Sequence, residues 1–320
     1  MAELLDLEKI DEENFKFKNS IGVIGFFDGV HLGHKKIIND CADRARAVNC
    51  SSMVLTFNRP PVNVVRNDTF KKLIIPFEEK IKIIDAMGVD CIIIADNNPD
   101  FLKLTPEQFC RDILVNKLRI REIFVGEGFR FGYQAAGDVS FLKNFLKSYC
   151  VKVNVVPLLK VKGKIVSSTT IRRYYSEGRI REVSNLLGRN PQIDGVVTKG
   201  AGRGRLLGFP TANIDICELY VIPADGVYLG KVFIDEEEKI FPAVINVGDN
   251  PTFKESGKRI EVYLLNFSGN IYNKKIRITF LEKLRDEMVF DDKDELVKRI
   301  KLDIEYALKY FKIKFNSDKI

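Results

Sequence analysis

Both histidines of this 320-residue chain fall within ten residues, GFFDGVHLGH, Gly25 to His34. The stretch begins as an apolar run with strand character (Ile21, Val23, Ile24, Phe26, Phe27), breaks at Asp28-Gly29 and passes into a helical pattern. A strand feeding a helix N-terminus presents backbone N–H groups and the positive end of the helix dipole, which together hold anions. His31 and His34 are three apart with Gly33 between them, so their imidazoles project from one side of the first helical turn. Two adjacent donors there suit a polyphosphate. Two histidines can also be part of a metal site, but no third and fourth ligand follows at a nearby spacing.

Further on, VSSTTIRR, Val166 to Arg173, sets Ser168 and Thr169 at a helix start with Arg172 one turn in. That geometry suits the far end of a triphosphate, although a plain capped helix has the same pattern. KGAGRGRLLGFPTAN, Lys199 to Asn213, interleaves glycines with Arg203 and Arg205. It fits neither the Walker-type loop nor G-x-G-x-x-G, so those nucleotide folds are not supported. Its N–H groups can still wrap phosphates. Thr211 and Asn213, two apart, share one side of an extended segment, as a Mg²⁺ ligand pair requires. A glycine-rich hairpin with a structural Pro-Thr turn is the competing reading.

Glu261 alternates with apolar Ile260 and Val262. On the inward face of a barrel strand it is a candidate general base, because a carboxylate there is costly unless used; on the outward face it is an ordinary surface charge. Two loops add weaker signals. The paired prolines of FNRPPV, Phe57 to Val62, stiffen a turn, and VGEGFRFG, Val125 to Gly132, places Phe129 and Phe131 among glycines, as a stacking surface or a hairpin anchor.

The elements that must position these residues differ between the two halves. From Ile21 to about Val156, short apolar runs (Ile21 to Phe27, Ser52 to Phe57, Val89 to Ala95, Glu122 to Val125, Val151 to Val156) alternate with helical stretches, the pattern of βαβ units and a parallel sheet. Thr105-Pro106-Glu107-Gln108 predicts a capping box, and Asp138 an N-cap. Ligands of such a sheet gather beyond the carboxyl ends of its strands. GRNPQIDG, Gly188 to Gly195, marks a domain boundary, giving 1–187 and 188–320. Beyond it, short strands with close turns (Gly195 to Thr198, Val227 to Ile234, Phe241 to Val247, Ile260 to Leu265, Lys275 to Phe280) predict a closed or nearly closed β-barrel. A terminal helix capped by Asp291 or Asp292 puts Leu296, Ile300, Ile304, Ala307 and Leu308 on one face, which packs on the barrel.

Composition bounds the reading. The length and the 45% hydrophobic content support two cores. The net charge of +7 comes without a long basic block and suits polyanionic small substrates as well as nucleic acid. Cysteines 41, 50, 91, 110, 150 and 217 form no C-x-x-C pair, which points to apolar fillers in a reducing cytoplasm. The acidic N-terminus lacks an apolar core segment and no twenty apolar residues run together, so no membrane association is expected.

In this combination and order, from about Gly22 to Leu308, the motifs resemble the bifunctional riboflavin kinase and FMN adenylyltransferase family of bacteria, the FAD synthetases. GFFDGVHLGH is similar to the family's first nucleotidylyltransferase motif, SSTTIR to its triphosphate partner and GFPTAN to the Mg-ATP loop of the kinase. NVGDNPTF with IEVYLL is similar to the kinase's downstream pair. The resemblance implies an α/β nucleotidylyltransferase domain, Rossmann-like with a parallel sheet, and an all-β barrel kinase domain with a terminal helix. It implies that ATP and Mg²⁺ serve riboflavin phosphorylation to FMN and then adenylylation of FMN to FAD with release of pyrophosphate. Glu261 would be the kinase base and Thr211 and Asn213 the metal ligands, with Gly204, Arg205, Gly208, Pro210 and Thr211 on the kinase ATP. Gly25, Phe26, Asp28, His31, Gly33, His34, Ser168, Thr169 and Arg172 would hold the adenylyltransferase ATP, and Pro61, Phe129, Phe131 and Arg285 the flavin.

Three positions depart from the family pattern. Asn58 and Pro60 stand where it usually has Asp and His, and Gly128 where it usually has Asp or Asn. They motivate a second reading, a riboflavin kinase whose adenylyltransferase is weakened or inactive. A third, from another class, is an RNA-binding or regulatory protein on a nucleotide-binding fold, against which no nucleic-acid partner is expected. The oligomeric state is left open.

Overall fold

The computed structural model describes residues 1–58, 72–96, 99–200, 202–216, 220–249, 258–290 and 292–312. Contacts divide the chain into two units, Met1–Lys71 with Ile75–Ser168, and Lys72–Ile74 with Thr169–Ile320. This division falls earlier than the turn-rich break at Gly188, so the helices between the two points are grouped with the second unit.

The first unit is built on six strands: β1 (Glu3–Asp6), β2 (Ile21–Ile24), β3 (Ser52–Phe57), β4 (Cys91–Ala95), β5 (Glu122–Gly126) and β6 (Lys152–Val156). They lie in the order β1-β4-β3-β2-β5-β6 with every neighbouring pair parallel, and a two-stranded antiparallel ribbon, β7 (Lys160–Val161) with β8 (Lys164–Ile165), follows β6. All residues of β2 and β3 are buried, which is why the central strands read as continuous apolar runs. β1 was not anticipated: four residues carry no usable period, and its strand state comes from pairing with β4. β2 stops at Ile24 rather than Phe27, because Phe27 (φ 53°) and Val30 (φ 35°) take left-handed backbone.

Around the sheet lie α1 (Leu32–Ala47), α2 (Phe77–Asp85), the helical segment α3 (Pro106–Gln108 running on through Phe109–Lys117) and α4 (Val139–Lys147). The spacing of Ile37, Ile38, Cys41, Ala45 and Val48 predicts one buried helix face; α1 buries the first four, while Val48 is its half-buried C-cap. The Thr105–Gln108 capping box is present, and Asp138 accepts from the Phe141 N–H at 2.8 Å. Strand order reverses between β2 and β5, since the chain lays β3 and β4 on one side of β2 before starting β5 on the other. That reversal opens a crevice at the carboxyl ends.

The second unit contains α5 (Ser168–Ser176) and α6 (Ile180–Leu187), then β9 (Gln192–Thr198), a helical turn α7 (Arg203–Leu206), β10 (Ala212–Ile216), β11 (Gly226–Ile234), β12 (Lys239–Asp249), β13 (Lys258–Leu264), β14 (Lys275–Arg285) and α8 (Lys293–Phe311). The strands form a closed barrel, β10-β13-β12-β11-β14-β9, antiparallel throughout and shut by β9 on β10. Ile245, Val247, Ile260, Val262, Ile278 and Phe280 fill it. Asp292 caps α8, whose Ile304, Ala307 and Leu308 pack on Leu229, Val244 and Tyr263 of the barrel's outer face.

Candidate active sites

The crevice of the first unit holds a cavity of about 290 Å³. Its walls come from the turn after β2 (Gly25, Phe27), the start of α1 (His31, Gly33, His34), the turn after β5 (Gly126, Gly128, Phe129), the segment after β6 and Ser168. The left-handed conformation of Phe27 and Val30 costs a bulky or β-branched residue on the order of 1–3 kcal/mol each. It carries the chain sharply from β2 into α1. Gly25 is required by close approach, because a Cβ there would lie 2.6 Å from the Phe27 ring. Ser168 Oγ donates to the Asp28 carbonyl at 2.9 Å, a bond within the first unit that braces the turn.

His31 caps α1. Its Nδ1 accepts the His34 N–H at 3.1 Å, which puts the ring proton on Nε2. The two imidazoles stack with centroids 3.5 Å apart, and the Phe27 ring meets His34 edge-on at 5.2 Å. Burial first, then the charges of His31 and Lys80, holds His34 well below the usual imidazole value of 6.5. Its buried Nδ1 has no hydrogen-bond partner among the described residues.

Of the other residues predicted here, Phe26 is half-buried against the core and Asp28 is buried in the turn. Thr169 and Arg172 fall in the second unit, where Thr169 is exposed and Arg172 Nε donates to the Lys72 carbonyl at 2.8 Å. Phe129 lines the cavity, whereas Phe131 belongs to the core, packed on Phe109 and Phe141 and stacked under Phe129 at 5.4 Å. Phe131 therefore supports the surface that Phe129 presents. Pro60 and Pro61 lie outside the described residues. Asn58 donates from Nδ2 to Asp96 at 2.9 Å, a contact that a second carboxylate at this position would turn into repulsion. Gly128 borders the cavity with open space where a Cβ would point.

The second unit carries two adjoining cavities on the outer side of the barrel. One, of about 300 Å³, has apolar walls from Val227, Val244, Leu296, Ile300 and Ile304 and a polar end formed by Thr211, Asn213, Glu261 and Arg285. The other, of about 450 Å³, is lined by Arg205, Pro210, Thr211, Phe267, Asn270 and Tyr272 among others. Thr211 and Tyr263 border both. Glu261 does not face the barrel interior, which corrects the inward reading. Ile260, Val262 and Leu264 point inward, and Glu261 shares the opposite face with Arg259 and Tyr263. That face is walled in rather than open to solvent, so the Glu261 side chain is 27% exposed.

Backbone pairing sets this end. Asn213 and Asn246 are the cross-strand partners of Glu261 on its two sides. Thr211 Oγ1 donates to Glu261 Oε2 at 3.2 Å, and Arg259 pairs with Glu261 Oε1 at 3.0 Å and with Asn213 Oδ1. Gly204 admits Thr211, because a Cβ there would lie 2.9 Å from its hydroxyl oxygen. Gly208, with φ 86°, follows α7. Arg285 is 12% exposed and forms hydrogen bonds with both Asp303 carboxylate oxygens at 2.9 and 3.3 Å. Among the described residues no cluster of three His, Cys, Asp or Glu is arranged for a metal. The oxygens of Thr211 and Asn213 are nonetheless the hard donors Mg²⁺ takes, one or two at a time, beside water and substrate phosphate.

A family model described as FAD synthetase matches residues 14–170, and one described as riboflavin kinase matches residues 187–311. A bifunctional riboflavin kinase/FMN adenylyltransferase of Buchnera aphidicola (from Schizaphis graminum) is 37% identical over 92% of this chain and 95% of its own length. Its counterpart in Bacillus subtilis is 33% identical over 94% and 95%. The chain belongs to the bifunctional riboflavin kinase/FMN adenylyltransferase family. A solved structure described as a macrolide-efflux protein from Streptococcus pneumoniae matches 95% of the chain and 98% of its own with TM-score 0.84 and 28% identity. Both domains of the bifunctional riboflavin kinase/FMN adenylyltransferase family are present, the FAD synthetase match spanning the histidine cavity and the riboflavin kinase match spanning the paired cavities.

Sequence reasoning missed several polar groups at these sites. Arg259 is two residues before Glu261 and shares its strand face, a period-2 signal. Asp303 sits on the apolar face of α8 beside Ile304 and Ala307, where a carboxylate needs a partner. Lys80 likewise shares a helix face with Ile84, four residues on.

Proposed function

We propose that residues 188–320 phosphorylate riboflavin to FMN, and that residues 1–187 transfer the adenylyl group of a second ATP to FMN, giving FAD and pyrophosphate. The observation that carries the kinase assignment is Thr211, which borders a flavin-sized apolar cavity and a nucleotide-sized one and hydrogen-bonds Glu261. The isoalloxazine ring occupies the apolar cavity, with Arg285 at its polar end, and ATP lies along Gly204, Arg205, Gly208 and Pro210. Glu261 removes the proton of the ribityl 5′-hydroxyl as its oxygen attacks the γ-phosphorus, and ADP leaves. Thr211 and Asn213 are the residues that hold Mg²⁺. When bound, the ion offsets negative charge on the triphosphate.

In the histidine cavity an oxygen of the FMN phosphate attacks the α-phosphorus of ATP and pyrophosphate departs. No protein nucleophile is needed, so the chain supplies placement and charge stabilisation. His31 donates from Nε2, and the N-terminus of α1 adds its dipole. Gly25, Phe26, Asp28, Gly33, His34 and Ser168 shape the phosphate cradle, and Phe129 stacks on a ring. The FAD synthetase match over residues 14–170 and the full-length bifunctional relatives favour two working sites over a drifted first domain. Buried, unpaired Cys41, Cys91 and Cys110 support work in a reducing cytoplasm. The efflux label of the Streptococcus structure gains no support, since no described helix is long and apolar enough to cross a membrane.

The test is a time course of FMN and FAD from riboflavin, ATP and Mg²⁺ with two variants. Glu261→Gln is expected to abolish FMN formation yet adenylylate added FMN. His31→Ala is expected to make FMN and stop there. Loss of both products in both variants would sink the division of labour.

A further inference from the structure

Behind the strained turn that follows β2, an ammonium group is sealed into the first unit. Lys80, on α2, is 4% exposed. Its Nζ donates to the Phe57 carbonyl at 2.6 Å and to the Phe26 carbonyl at 3.1 Å, and lies over the rings of Phe26 and Phe77 at 4.6 and 5.2 Å. The Phe26 carbonyl also accepts the Thr56 hydroxyl at 3.2 Å, so both its lone pairs are engaged. Phe57 ends β3, and Phe26 follows β2, so one ammonium joins the carboxyl ends of two neighbouring parallel strands.

The next residue after the doubly held carbonyl is Phe27, the first of the left-handed pair that delivers His31 to the start of α1. Strained backbone persists only where its surroundings over-determine it. Buried ammonium is costly unless its donors are satisfied, and here the donors are spent on the anchor point of that turn.

We propose that Lys80 is a positioning residue for adenylyl transfer, its ammonium pinning the Phe26 and Phe57 carbonyls so that the Phe27–Val30 turn keeps the form that presents His31 and His34 to the cavity. The proposal rests on assigning adenylyl transfer to that cavity. The same charge acts on His34, which faces His31 at the start of α1 and Lys80 on α2, while Lys80 in turn faces Asp28 of the turn. Lys80 thus adds, after burial and His31, to what disfavours a proton on the second imidazole. Burial draws its own ammonium down to about 8, and Asp28 opposes this.

The full chain with Lys80→Met tests this. FMN formation from riboflavin is expected to be unchanged. FAD formation from added FMN should lose about tenfold or more in kcat with a smaller change in the KM for ATP, as lost placement predicts. The chain has only two histidines, so their imidazole NMR signals are assigned by a single His31→Gln variant. In Lys80→Met the His34 signal should titrate at higher pH than in the unsubstituted chain. Unchanged FAD formation, or a loss of rate with the His34 titration unmoved, overturns the proposal. If Lys80→Met fails to fold, Thr56→Val removes the other bond to the Phe26 carbonyl and keeps the ammonium. It should lower the kcat of FAD formation by a smaller factor, and an unchanged rate overturns the proposal. An unsubstituted chain that makes no FAD from FMN overturns the functional assignment instead.

Discussion

Gly25 has no room for a methyl group, because the edge of the Phe27 ring fills the space 2.6 Å from where a Cβ would sit. Phe27 in turn packs edge-on against His34, so adding one carbon displaces the ring that holds the second histidine. Gly25→Ala is expected to lower the rate of FAD formation from FMN by about tenfold or more, roughly 1.4 kcal/mol in the barrier, while FMN formation is untouched. Initial rates of the two reactions on one preparation check this. A different constraint acts at Glu261. Its alternation with Ile260 and Val262 says that it lies opposite them, but period alone does not say which face is covered. Both strand faces are occupied here, one by the barrel core and the other by a walled cavity, so the carboxylate has few escape routes and a defined partner in Thr211.

At the scale of elements, α8 does more than cover the barrel. Asp303 reaches from it to Arg285 at the end of β14, a pair 7% and 12% exposed, so the helix and the polar end of the 300 Å³ cavity are joined by one charge pair. Asp303→Ala leaves a buried guanidinium without that partner and is expected to cost about 3 kcal/mol of stability in denaturant titration. It should also raise the KM for riboflavin. The elements legible beforehand were those with strong local signals. α1 declared its buried face, Thr105 and Asp138 declared their caps, and alternation gave β11, β12 and β13. β1 and β10 were not found as strands, since β1 is a short stretch defined by its pairing and β10 follows a glycine-rich loop that hides its start. The motifs gave candidates that line the cavities, His31, His34, Thr211 and Glu261 among them, yet Lys80, Arg259 and Asp303 escaped, because each has a partner, Phe57, Asn213 and Arg285 in turn, that is remote in sequence.

For the whole molecule, proton binding links the first site to folding. His34 is held well below 6.5 in the folded chain, chiefly by burial. Above 6.5 both folded and unfolded states carry it neutral; below that value the unfolded chain binds a proton that the folded chain refuses. Stability must therefore fall as pH drops from 6.5 toward the depressed value, by up to about 1.4 kcal/mol per pH unit for this one group. Thermal unfolding from about pH 7.5 to 5.5 should show this contribution, and His34→Gln should flatten it. The closed barrel has a further consequence, for association between chains. A closed sheet offers no unpaired strand, whereas among the described residues the parallel sheet ends in β1 and β6, each paired there on one side only. β1 is four residues with Glu3 and Asp6 at its ends, while β6 exposes a single charged residue, Lys152. Edge-to-edge aggregation of this protein therefore has its least guarded starting point along β6.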